Sequence, residues 1–287
     1  MEKILFDMHT HSNYSPDAED SAEAMCERAA QLGLSYYSLT DHCDCNFWHP
    51  VSYYFPDEQD VTDAMMYGAG KYAADSIAEQ VKLRERFQGR LDLLIGVELG
   101  QPLQYPEGAE QMACDSRIDF IIGSHHMNKN RDDFYYLDYS NMSAAELDGL
   151  LTDHFTQMLD MCRWGKFDVL GHLTYPLRYI CGEHGVDVDI MKYEELIRAI
   201  FKTLIEKGKG IEINTSGLRQ KYGQTFPNYE LVKLYRDLGG EILTIGSDAH
   251  RTVDLAKGIT EGIELAKAAG FDQAAIFRNH QPEFIKI

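Results

Sequence analysis

The sequence predicts one α/β domain over residues 1–287, built as a closed or nearly closed barrel of the TIM type. Three observations point there. Short apolar, β-branched runs alternate with longer segments of helical period, the pattern of βα units around a parallel sheet. Connections from helix to strand are short, whereas several that follow a strand are long and aromatic. Finally, polar residues of a restricted set recur where the apolar runs end.

The strand candidates, in order, are "KILFDMHTH", "SYYSLTDH", "LDLLIGVELG", "IDFIIGSHH", "FDVLGHLTYP", "KGIEINTSG" and "EILTIGSDAH". Helix candidates between them begin with "SAEAMCERAAQLG", where a Ser cap and a closing glycine bracket an apolar face. "KYAADSIAEQVKLRERFQG", "SAAELDGLLTDHFTQMLDMCRWG", "MKYEELIRAIFKTLIEKG" and "NYELVKLYRDLGG" follow, with a last helix near "LAKGITEGIELAKAAG". No linker or low-complexity run divides the chain. In a βα barrel the loops after the strands form the active-site face. The loops "CDCNFWHPVSYYFPDEQD", "HMNKNRDDFYYLDYSN" and "YPLRYICGEHGVDVD" therefore read as a substrate lid or as satellite packing.

Composition narrows the partners. With 46 acidic and 27 basic residues the formal net charge is -19, a field that repels nucleic acid and anionic membranes. It equally disfavours anionic substrates unless bound cations receive them. The six cysteines form no C-x-x-C pair and read as free thiols. With neither a signal-peptide pattern nor an apolar run of membrane length, the expectation is a cytosolic protein.

Candidate metal ligands stand at nearly every strand end. The first strand closes on His9 and His11, the second on Asp41 and His42, and the third on Glu98. His125 and His126 end the fourth, His172 lies in the fifth, and Asp248 and His250 end the seventh. Each has a structural alternative: Glu98 as a surface carboxylate, His172 as a core histidine, Asp248 as a helix cap. Together they are costly to gather without cations, because strand ends converge on one mouth and buried like groups repel. Mixed imidazole and carboxylate ligands suit Zn, Mn or Fe. They exceed what one tetrahedral ion needs, so a multinuclear site and metal-assisted hydrolysis follow.

The ordered motifs "FDMHTHSNYSPDAE", "LTDHCD", "GVELG", "IIGSHH", "VLGHLTYP", "EINTSGLR" and "GSDAH" resemble those of the PHP (polymerase and histidinol phosphatase) family, and within it the histidinol-phosphate phosphatases. The resemblance covers nearly the whole chain. It implies a distorted (β/α)7 barrel with a trinuclear metal site. By position it implies His9, His11, Glu98 and Asp248 around one ion, with Glu98 bridging to a second held by His125 and His172. Asp17, His42 and His250 would hold the third; some family members place a histidine where this chain has Asp17. Asp7 and Asp41, which precede ligand histidines, read as groups that orient ligands. His126 follows a ligand on a strand and is expected to point away.

The reaction implied is hydrolysis of a phosphate monoester, L-histidinol phosphate, by in-line attack of a metal-bridging hydroxide. Arg178 and Arg219 are expected to clamp the phosphate, since a planar guanidinium matches its oxygens; Arg251 and Lys129 are weaker choices. The general acid is Asp248 or a metal-bound water. Alternatives are a family phosphoesterase for another small phosphate or nucleotide, a noncatalytic metal-binding module, and a deacetylase-like hydrolase.

Overall fold

The structure is a computed structural model that describes residues 5–46 and 71–287. The part of the aromatic loop "CDCNFWHPVSYYFPDEQD" beyond residue 46 lies outside the described residues.

The parallel sheet runs through seven strands in chain order: β1 (Phe6–Asp7), β2 (Tyr36–Leu39), β4 (Asp92–Gly100), β5 (Phe120–Ser124), β6 (Val169–Leu170), β7 (Gly210–Asn214) and β8 (Leu243–Gly246). A short strand β3 (His42–Asp44) continues beyond β2 and pairs with the end of β4. Closure is nearly complete. Beyond β1, the His11 N–H donates to the Ala249 carbonyl (2.9 Å) and the Asp248 N–H donates to that of His9 (2.7 Å). These bonds lace the first strand to the last at the upper rim.

The helices form where the period demanded them. Helix α1 (Ala22–Leu32) starts at Ser21, whose hydroxyl accepts from the Ala24 N–H. Helix α2 spans Lys71–Arg86, and a short α3, Pro106–Ala113, opens on a proline and has no counterpart among the expected helices. Helix α4 (Ala144–Trp164) carries a Ser143/Glu146 capping box, and α5 (Glu194–Glu206), α6 (Tyr229–Asp237) and α7 (Ile259–Ala269) complete the outer layer. Outward-facing strand residues such as Val97, Leu99 and Ile121 are buried in the apolar core.

After the last helix the chain forms an antiparallel hairpin of β9 (Gln273–Arg278) and β10 (Gln281–Lys286), absent from the sequence expectation. Asn279 and His280 both have positive φ, as a two-residue hairpin turn requires. The turn ties together the strand beginnings: Arg278 pairs with Asp92 (2.8 Å), the Asn279 N–H donates to Asp119 (3.1 Å) and His280 Nδ1 meets Asp168 (2.9 Å). The hairpin thus fastens the barrel end opposite the polar mouth. Among the described residues no helix is long and apolar enough to cross a membrane, and none of the six cysteines is in a disulfide.

Candidate metal centre

Strand pleating decides which side chains reach the mouth, because alternate residues share a face. His9 and His11 continue β1 with Thr10 between them, so both rings turn inward; their Nε2 atoms lie 3.0 Å apart. The same alternation in β3 points His42 and Asp44 into the site and leaves Cys43 buried in the core. Glu98 projects from β4 into the middle. Its Oε2 lies 2.8 Å from His42 Nδ1 and 3.5 Å from the Nε2 atoms of both His9 and His11. Its Oε1 lies 2.7 Å from His172 Nε2. Asp248 Oδ1 lies 3.3 Å from His11 Nε2 and 3.5 Å from His250 Nδ1. At the outer edge Asp17 reaches His250 Nε2 (3.0 Å) and His42 Nε2 (3.5 Å). Asp17 is the outlier in burial, 58% exposed where the His9 side chain is fully buried.

One expected ligand lies elsewhere. Ser124 faces inward, donating to Glu98 Oε1 (2.6 Å), so pleating sends His125 outward and His126 inward. His125 Nε2 meets Asn128 (3.0 Å) and its ring lies beside His154, away from the centre; burial lowers it to about 4. His126 Nε2 lies 3.1 Å from Glu98 Oε1 and 3.3 Å from His172 Nε2, with Nδ1 on Asp44 (2.9 Å). The expectation that His125 ligates while His126 points away is therefore reversed.

Two further carboxylates were missed. Glu212, from β7, takes His9 Nδ1 on one oxygen (2.6 Å) and the His172 backbone N–H on the other (3.0 Å). Its signal was a lone acid inside the apolar run "GIEIN". Asp44 orients His126, and Gln101 braces both, accepting from the His126 N–H (2.8 Å) and donating to Asp44 (2.9 Å). Gln101 does so from a left-handed backbone (φ 48), a conformation non-glycine residues adopt at a cost and chiefly where surroundings enforce it. Asp41 fixes Ser12 and Ser15, and Ser15 Oγ contacts His11 Nδ1 (3.2 Å). Asp7 holds the end of β8 through Ser247 rather than a ligand ring.

The residues fit metal ions. Three groups offer ligand atoms within 4.8 Å of one another: His9, His11 and Glu98; His42, Glu98 and His126; His11, His42 and His250. His42 Nδ1 and Glu98 Oε2 nearly touch, yet neither has a hydrogen-bond partner, and His250 Nε2 also lacks one. Close approach without hydrogen-bond alignment is the arrangement of atoms that share a cation. Electrostatics agree. Burial alone would raise the Glu98 carboxyl, but His126, His42 and His9 outweigh it and hold it well below the usual range. Burial would lower His126, yet Glu98 and Asp44 raise it to about 10. Burial, reinforced by His250 and His42, lowers His11 to about 3. The carboxylates demand positive charge that the imidazoles alone share unevenly.

Above the centre opens a cavity of about 630 Å³, lined in part by Arg178, Arg219 and Arg251. Arg178 lies over the Tyr179 ring, and Arg219 donates to the Asp248 carbonyl (3.3 Å); among the described residues neither forms an ion pair. Arg251 is occupied by Asp254 (2.9 Å), and Lys129 lines a separate cavity of about 340 Å³ with His125.

A seven-stranded parallel barrel with imidazoles and carboxylates converging on one mouth defines the class, and the chain belongs to the PHP domain family, whose model matches residues 7–216. Among its relatives, the probable histidinol-phosphatase of Thermotoga maritima is 27% identical over 273 residues, covering 95% of each chain. The histidinol-phosphatase of Lactococcus lactis is 25% identical over 277 residues, 94% of this chain and 93% of that one. A crystal structure of histidinol phosphate phosphatase from Lactococcus lactis, complexed with zinc, L-histidinol and phosphate, shares the fold with a TM-score of 0.75. It is 23% identical, with 97% of this chain and 98% of that one covered.

Proposed function

We propose that this protein is a metal-dependent phosphomonoesterase that hydrolyses L-histidinol phosphate to L-histidinol and phosphate. The observation that carries this reading is the convergence of six imidazoles and three carboxylates, His9, His11, Asp17, His42, Glu98, His126, His172, Asp248 and His250, beneath a cavity lined also by Arg178 and Arg219, which form no ion pair among the described residues. Full-length relatives named histidinol-phosphatase support the choice of substrate.

Three ions fit the reading. His9, His11, Glu98 and Asp248 would hold one, Glu98 with His126 and His172 a second, and Asp17, His42 and His250 the third. The ligand types suit zinc, and the Lactococcus lactis neighbour binds zinc. When bound, such ions supply Lewis acidity and activate water at neutral pH.

The chain's own residues do the rest. Arg178 and Arg219 present guanidinium groups to the phosphoryl oxygens, which an acidic protein otherwise repels. Glu212 and Asp44 fix the rings of His9 and His126, keeping the ligands preorganised. Asp248 is occupied on both oxygens, Oδ1 among the imidazoles and Oδ2 accepting from Asn214 Nδ2 (3.2 Å). It therefore serves as a ligand, and the proton for the departing alkoxide comes from water in the open cavity.

Steady-state kinetics on L-histidinol phosphate beside a panel of small phosphomonoesters and nucleotides test the assignment. We expect kcat/KM for histidinol phosphate to exceed the rest by at least about tenfold, the discrimination a few placed polar contacts provide. Weak, undifferentiated turnover would remove the substrate assignment, and tight metal binding with no hydrolysis would make the protein a binding module.

A further inference from the structure

One carboxylate of the cavity wall takes no part in the metal centre. Asp133 lies on the loop after β5, and its Oδ1 accepts both the Tyr135 backbone N–H (2.8 Å) and the Tyr175 hydroxyl (3.2 Å). Both bonds fall on one oxygen. Among the described residues no donor reaches Oδ2, and no lysine, arginine or histidine pairs with the carboxylate, which lines the cavity.

Its surroundings are aromatic. Tyr175 bridges Asp133 to the centre: its ring lies 5.0 Å from that of His172 and 5.2 Å from that of His126. Tyr135, 62% exposed, stands on the same wall, edge-on to Tyr179 at 5.7 Å. A large aromatic left in water on a cavity rim is an uncovered contact surface. An anionic oxygen beside exposed ring faces is the chemistry that receives an organic cation. Burial raises the Asp133 carboxyl to about 6, offset only in part by His126, as expected of a carboxylate short of positive charge.

We propose that Asp133, backed by Tyr135 and Tyr175, binds the cationic end of the phosphate ester, one tyrosine ring away from where the phosphate is cleaved, and so sets preference for aminoalkyl or imidazolyl phosphates over neutral ones. This rests on the phosphatase reading above. The competing role is a purely structural one, in which Asp133 caps the turn Phe134–Tyr136 and its Oδ1 accepts the Tyr135 N–H. Asp133→Asn separates the two, since the amide oxygen keeps that cap while the charge is lost.

The experiment compares kcat/KM for L-histidinol phosphate and for phenyl phosphate in the metal-loaded wild type and Asp133→Asn, with calorimetric binding of L-histidinol to both. We expect the variant to lose roughly 10- to 100-fold on histidinol phosphate, the scale of one charge-assisted hydrogen bond. Phenyl phosphate turnover and metal content should hold, and L-histidinol should bind at least about tenfold more weakly. Unchanged preference, or equal loss on both esters, would overturn the role of Asp133 and leave the phosphatase reading intact. A wild type that does not favour histidinol phosphate over phenyl phosphate would overturn both.

Discussion

At the residue scale, function turns on which face of a strand a side chain occupies. His126 meets Glu98 and His172, whereas His125, one peptide unit earlier, packs beside Asn128 and His154. Substituting each by Ala should give opposite phenotypes. His126→Ala should lose bound metal and at least about a hundredfold in turnover, since even groups that only orient ligands are worth 10- to 100-fold. His125→Ala should keep its metal stoichiometry while losing about 1–3 kcal/mol of stability, from an emptied buried site and an unpaired Asn128. Elemental analysis and urea unfolding of the pair decide it; metal loss in His125→Ala alone would restore the original expectation. "IIGSHH" announces two histidines but not their parity. That parity is set by Ser124 turning in to Glu98, a contact between the paired strands β4 and β5 that links residues 26 positions apart in the chain. Glu212 was hidden for a related reason. Its partner His9 lies 203 positions away, and only the closed barrel brings the two together.

At the element scale, the strand–helix alternation was readable because local periodicity and caps specify it. All seven barrel strands and the expected helices from residue 71 onward appear. The hairpin was not readable: "FRNHQP" lacks the Asn-Gly or Asp-Gly pair that marks a tight turn. It is held by its contacts with the barrel floor, where Phe277 stacks on Phe120 with centroids 5.1 Å apart. Phe277→Ala should cost about 3–5 kcal/mol with metal content per folded molecule unchanged. At the mouth the sensitivity is reversed. A Cβ on Gly246 would lie 2.3 Å from His9 Cβ and 2.8 Å from Glu212 Oε1, so β8 approaches β1 closely enough to exclude any side chain there. Gly246→Ala should therefore displace His9 and lower metal content. A fully loaded Gly246→Ala protein, or a Phe277→Ala protein of wild-type stability, would contradict this division between floor and mouth.

At the scale of the whole molecule, the acidic excess has an internal component. Asp7, Asp41, Asp44, Glu98, Asp119, Asp168 and Glu212 are all buried, the first three with Glu98 and Glu212 around the mouth and Asp119 and Asp168 at the floor. Floor carboxylates find their partners in the hairpin and in strand N–H groups. At the mouth Asp44, Glu98 and Glu212 face imidazoles, whereas Asp7 and Asp41 are held by serine hydroxyls and backbone N–H groups, and the centre offers ligand atoms suited to cations. On the proposed reading, the ions and the arginine pair are what reconcile a net charge of -19 with a phosphate substrate. The motif order revealed most of this centre in sequence. What it could not reveal were the braces, Glu212, Asp44 and Gln101, because hydrogen bonds between distant strands leave no local pattern.

Whether hydrolysis depends on bound metal is decided by phosphate release from L-histidinol phosphate, measured before chelator stripping, after it, and after zinc is restored. We expect turnover by the untreated protein, a fall of at least about a hundredfold on stripping, and recovery with zinc, as follows when the ions both activate water and bear the developing charge. Turnover that survives complete removal of metal, or a metal-loaded protein that releases no phosphate, would contradict that expectation.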